Sequence, residues 1–166
     1  MSNIQIRYLD KEEFSLWDKF ISIAPSATIF DGTNWLTTVC DALKCNLKIL
    51  AVFNGDEITG GVTLNVSKKY TKSVATRIPL CPTNSCIISP LPTTFPAKEV
   101  RHVLEITDAI AGFLKSNFDF VSITNNHYLM DIRSFSWQGY HVSVQYTYHV
   151  DLGLVNMSQI TPNRRN

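Results

Sequence analysis

Several things are scarce in this 166-residue chain, and each scarcity removes a class of function. No hydrophobic run comes near the ~20 residues that cross a bilayer as a helix. Charge is balanced, with 15 Lys and Arg against 14 Asp and Glu, and no basic block exceeds a pair. A surface that binds nucleic acid by releasing phosphate counterions needs a basic face, so no nucleic-acid partner is expected. The opening MSNIQIRYLDKEEF has no basic leader followed by an apolar stretch, which predicts a chain without a signal peptide, soluble and cytoplasmic. Cysteines number four, Cys40, Cys45, Cys81 and Cys86. Their Cys-x4-Cys spacing is wider than a zinc knuckle and no histidine lies close by, so reduced structural thiols are expected and no metal. Glycine is also sparse: none occurs between Gly61 and Gly112.

What is present suits a globular domain: 45% hydrophobic residues and 17% charged. Ile4 to Leu9 alternates as a strand does. Asp10 precedes Glu13 by three residues, a capping pattern, and Phe14, Trp17, Phe20, Ile21 and Ala24 share one face of the helix that follows. Asp31-Gly32 marks a turn before a second helix over 34–43. Leu47 to Phe53, Glu57 to Ser67 and Val74 to Leu80 read as strands, with Asn54-Gly55 as a hairpin turn and Gly60-Gly61 as an interruption. Residues 79–96 hold five of the seven prolines. After Pro96 comes a long amphipathic helix, then a strand at 119–124, a short helix at 128–135 and a last strand from Tyr140 to Leu152. The order β-α-α-β-β-β-α-β-α-β predicts an α/β (α+β) fold, a mixed central sheet with helices on both faces. One domain over 1–152 and a tail over 153–166 are expected.

That order resembles the GNAT acyltransferase fold. The segments IFDGTNWL, LKILAVFNGDEITGGVTL, DIRSFSWQGY and YTYHVDL, in this order and spacing, resemble FemAB-like proteins, the peptidoglycan-bridge aminoacyltransferases and their relatives, over about residues 28–165. The resemblance implies two GNAT-like domains in tandem, with Asn163-Arg164-Arg165-Asn166 similar to the start of the second. It further implies that this chain is the N-terminal, non-catalytic half and contributes to an acceptor cleft. The acceptor would be a cell-wall or polysaccharide precursor, and acyl-CoA or aminoacyl-tRNA would belong to the second domain. The partner would be that second domain, or another copy of this chain.

A coenzyme A pyrophosphate needs backbone N–H groups at a glycine-rich helix start. The equivalent stretch here, CPTNSCIISPLPTTFPAKEV, has no glycine, and its prolines lack the N–H donor. No cofactor is therefore expected in this domain. Ser85, Ser89, Thr83, Asn84, Thr93 and Thr94 can contact a polar substrate or simply form turns. Candidate substrate contacts are Trp35, Asn84, Tyr128 and Arg133. Trp35 reads equally as a core anchor, and Arg133 with Asp131 as a pair that orients the chain into Trp137. His102 falls near the polar side of the long helix, and His127 lies at a strand end. Spacing alone supports no Ser-His-Asp or Cys-His pairing, so catalytic residues stay unassigned. Two rival readings remain: a complete small N-acyltransferase that holds acyl-CoA unconventionally, and a non-enzymatic protein-interaction domain.

Overall fold

The structure, a computed structural model, describes residues 4–148. Strand β1, Ile4–Tyr8, runs antiparallel to β2, Leu47–Asn54. Between them lie α1, Phe14–Ile21, and α2, Thr33–Leu43. The Asp10/Glu13 pattern works as expected, because the Glu13 carboxylate accepts from the Asp10 N–H at 3.1 Å and satisfies an orphan donor at the helix entry. Gly55, at φ +63°, turns β2 into β3, Glu57–Lys69. β3 continues into β4, Lys72–Thr76. A two-residue strand β5, Ile87–Ile88, pairs with Gly60-Gly61 of β3. Helix α3, Pro96–Asn117, crosses to β6, Phe120–Val121, which is parallel to β4. A short α4, Arg133–Trp137, follows. The result is a six-stranded mixed sheet, ordered β1-β2-β3-β4-β6 with β5 also on β3.

Gly60 and Gly61 show how the helices sit. Neighbouring residues of a strand face opposite sides of the sheet. A Cβ on Gly60 would lie 2.4 Å from Ile106 Cγ2 of α3, and one on Gly61 would lie 2.6 Å from the Trp17 ring of α1. The glycine pair is thus where both helices come hard against β3, on opposite faces, and β3 continues through it as one strand with a shift of register against β2 beside Gly60. Trp17, wholly buried, also donates its indole N–H to the Asp31 carbonyl at 2.8 Å. Around α3 the core gathers Leu50, Val52, Val62, Leu64, Ile110, Leu114 and Phe135.

Four expectations need correction. The third hairpin strand ends at Thr76 rather than Leu80. The chain then leaves the sheet so that Ile78 and Cys81 can bury against Leu36, Val39 and Cys40 of α2, and it returns as β5 inside the proline-rich segment, where none was expected. The strand expected at 119–124 is short because beyond Val121 asparagine side chains replace the ladder. Asn84 Oδ1 accepts from Thr124 N at 2.7 Å, its Nδ2 donates to Ser122 O at 3.1 Å, and Asn125 Oδ1 accepts from Cys86 N at 3.0 Å. The helix expected at 128–135 begins at Arg133, where Asp131 Oδ1 accepts from its N–H at 3.2 Å. Over 140–148 there is no strand: residues 141–148 are all exposed, and alternation becomes a strand only against a paired edge. The remainder of that expected strand, 149–152, and the tail lie outside the described residues, as does the Arg164-Arg165 start.

Two surface carboxylates make stability depend on pH. The Arg7 guanidinium, at 2.7 Å, holds Glu13 down from 4.5 to about 2. Hydrogen bonds from the Ser73 backbone and side chain, with Lys72, hold Asp119 down from 3.8 to about 2. A carboxyl whose pKa is lower when folded stabilises above its unfolded value and loses that contribution as pH falls through the folded value. The thermal midpoint is therefore expected to fall from pH ~5 toward pH ~2. The double variant Glu13→Gln/Asp119→Asn should show a flatter profile in scanning calorimetry over the same range.

Candidate functional site

A cavity of about 350 Å³ opens between β5, the start of α3 and the connection before α4. Each wall has a local cause. The return to the sheet at β5 presents Cys86, Ile88 and Ser89. Residues three and four apart share a helix face, so Glu99, Val100 and Val103 of α3 line the cavity together with His102. Tyr128, Leu129, Met130 and Asp131 form the third side, and Pro25 and Ser26, beyond α1, close the end. Asn126 ties these last two walls together: its Nδ2 donates to Ser26 O at 2.7 Å, and its Oδ1 accepts from Tyr128 N at 3.1 Å.

The lining is mostly apolar, with a few polar groups of distinct character. His102 Nε2 lies 3.2 Å from Ser89 O and 3.4 Å from Ser89 Oγ. The shorter contact is to a carbonyl, which only accepts, so this geometry calls for a proton on Nε2. Ser89 is consequently not activated by His102. Burial pushes the Cys86 thiol up to about 12, so at neutral pH it is a thiol rather than a nucleophilic thiolate. Asp131 is held below the usual carboxylate range by Arg133, whose Nη2 lies 2.6 Å away and whose Nε is bonded at 2.9 Å. The pair's charge is thereby cancelled within itself, and Arg133 also rests over the Trp137 ring at 5.6 Å. Glu99 has no ion-pair partner among the described residues and is the uncompensated anion of the wall.

The start of α3 offers little to an anion. Pro96 has no N–H, the Lys98 and Glu99 amides both donate to Phe95 O, at 3.0 and 3.4 Å, and Glu99 puts a negative charge in the first turn. Nor do the described residues contain any group of three or more His, Cys, Asp or Glu arranged to hold a metal.

Of the four candidate substrate contacts, the structure brings one, Tyr128, to this cavity, where it stands half exposed on the rim. Arg133 does not line it and is tied to it only by its ion pair with Asp131. Asn84 is 1% exposed, and both ends of its amide bond to the backbone of the segment after β6. Trp35 lies away from the cavity, edge-on to Phe30 at 5.2 Å and on the flank where α2 meets Cys81. The sequence reading assigned no role to Glu99 or Met130, and it placed His102 toward solvent. A helical wheel puts His102 beside polar neighbours; only the return strand at β5 brings Ser89 against it.

No protein-family model matches the chain, and no curated protein does. Solved structures with a similar chain course include an aminoglycoside acetyltransferase from an uncultured soil metagenomic sample. It is 16% identical with TM-score 0.49, over 89% of this chain and 97% of that one. A ribosomal-protein-alanine N-acetyltransferase from Brucella melitensis is 9% identical with TM-score 0.48, over 89% and 98%. A GNAT family acetyltransferase from Staphylococcus aureus is 13% identical with TM-score 0.46, over 92% and 100%.

Proposed function

We propose that this chain is the acceptor-binding half of a FemAB-like acyl- or aminoacyltransferase, with a GNAT-like fold, and that the cavity between β5, α3 and Tyr128 receives the acceptor. The observation that carries the reading is the start of α3. It supplies an apolar pocket on one side but few backbone donors for a pyrophosphate, because Pro96 has no N–H, the Lys98 and Glu99 amides are already bonded to Phe95 O, and the Glu99 carboxylate adds a negative charge to the first turn. The gap where β4 and β6 part company is filled by the Asn84 and Asn125 amides, which leaves no open strand edge there for an extended, amide-bearing donor arm. The donor, acyl-CoA or aminoacyl-tRNA, is then handled by a second GNAT-like domain or a second copy. Glu99 suits an acceptor that carries an amine, and the apolar walls suit the body of a cell-wall or polysaccharide precursor.

Titration calorimetry with acetyl-CoA is expected to show no saturable heat. A peptidoglycan-precursor peptide is expected to shift backbone amide resonances at 88–91, 99–103 and 128–131. The exposed substitution Val100→Trp, which fills the mouth of the cavity, should abolish those shifts and leave the melting temperature within ~2 °C. Saturable acetyl-CoA binding would favour the second reading, a complete N-acyltransferase. His102 gives that reading a specific foothold, since it lines the cavity with its ring anchored at Ser89 O through Nε2 and is the one histidine on that wall. In that case His102→Gln should lower kcat about 100-fold or more. The third reading, a non-enzymatic interaction domain, draws on the exposure of Val144, Tyr146 and Tyr148 at 75, 96 and 99%.

A further inference from the structure

A second cavity, about 250 Å³, lies on the far flank between the entry to α1 and the end of α2, and both Cys40 and Cys45 line it. We infer that Cys40 and Cys45 form a dithiol site that closes to a disulfide on reaction with a hydroperoxide. The geometry comes from how α2 ends. Lys44 takes the left-handed conformation at φ 54°, and the N–H of Cys45 then donates back to Cys40 O at 2.9 Å. This six-to-one bond is the Schellman ending, in which the first and last residues are drawn together and their side chains meet. Disulfides need Cα atoms about 4.4–6.8 Å apart, a separation that such a closure supplies without moving the backbone.

The cavity gives a small oxidant access, and the two thiols differ in exposure. Cys40 is 4% exposed while Cys45 is half-buried, so attack begins at Cys45. Burial and the neighbouring Cys45 push the Cys40 thiol up to about 12, so it is not the first to meet the peroxide. In the first step the Cys45 sulfur takes one oxygen of the hydroperoxide, giving a sulfenic acid and releasing an alcohol or water. In the second the Cys40 sulfur displaces that hydroxyl; the S–S bond forms, and the hydroxide leaves as water with the Cys40 proton. Two thiols lose two electrons and two protons, and the peroxide O–O bond is reduced. Cys81 and Cys86 take no part. Cys81 packs in the same cluster as Cys40 but lies outside this cavity with its thiol against the Phe30 carbonyl at 3.8 Å, and Cys86 is in the other cavity.

The test is a titration of the folded chain with hydrogen peroxide, read by intact mass, thiol counting and peptide mapping. The expected product has lost two hydrogens and two of its four thiols, with Cys40 and Cys45 joined in one cross-linked peptide, and dithiothreitol restores it. Cys45→Ser should abolish the cross-link, and Cys86→Ser should leave it unchanged. In Cys40→Ala, where the inferred condensation partner is gone, dimedone should trap a sulfenic acid on Cys45. Retention of all four thiols under peroxide, a bridge involving Cys81, or over-oxidation of Cys45 without a bridge would each overturn the inference.

Discussion

Gly61→Val is expected to leave no folded protein, and Gly61→Ala to lose about 3 kcal/mol in urea denaturation, at the upper end of what overpacking costs. A Cβ at this position would lie 2.6 Å from the Leu50 carbonyl oxygen and 2.6 Å from the Trp17 ring. The first is backbone of β2, paired on both sides by β1 and β3 within the six-stranded sheet, and cannot move aside. The second is a wholly buried indole fixed by its bond to Asp31. Gly60 is the more forgiving of the two. Its Cβ would meet the Ile106 Cγ2 methyl at 2.4 Å and the Ile87 carbonyl at 3.2 Å, so one side-chain group is the main obstacle. Gly60→Ala should therefore cost less than Gly61→Ala, and in the double variant with Ile106→Ala the two costs should sum to more than the measured loss, as coupled neighbours do. Full additivity would mean that α3 does not rest on Gly60. The consequence reaches the cavity. Beside Gly60 the β2–β3 register shifts, and the Thr59 carbonyl accepts from Ser89 N at 2.9 Å, so a displaced β3 or α3 moves both walls.

The second large effect is expected at Asn84, where alanine should lower stability by about 3 kcal/mol through loss of two hydrogen bonds and the orphaning of their backbone partners. The Thr124 N–H and Ser122 carbonyl each lose their partner in a part-buried site. Asn84→Asp should fare little better, because a carboxylate can accept from Thr124 but cannot donate to Ser122. Hydrogen exchange at the Thr124 amide provides the check: its protection should vanish in Asn84→Ala while amides in β1 and β2 keep theirs. Unchanged stability with retained protection would mean that Asn84 is not a fastening of the sheet. It would return the residue to the list of substrate contacts.

Much of the architecture was legible along the chain because its causes are local. Gly55 after Asn54, the Asp10/Glu13 cap, the apolar stripe from Phe14 to Ala24 and Pro96 opening a long helix act within a few residues of themselves. The mixed sheet with helices on both faces follows from that order. The candidate site was legible only in part. Trp35, Asn84, Tyr128 and Arg133 stood out by type alone; burial then removes Asn84, and Trp35 lies on the flank of α2 away from the cavity.

By itself, then, the sequence determined the order of elements from β1 to β4 and from α3 to α4, the balanced charge and the lack of glycine at the start of α3, since these depend on composition and on neighbours in the chain. Tertiary structure alone decided that the proline-rich segment leaves the sheet at Thr76 and returns at Ile87, that Asn84 and Asn125 complete the ladder, and that His102 meets Ser89. It also decided that Val142 to Tyr148 remains exposed. Each of these rests on a partner at least 13 residues away, or, for the last, on the absence of one among the described residues. Alternation and hydrogen-bonding capacity state what a residue can do; only the partner that packing supplies settles which of those things it does.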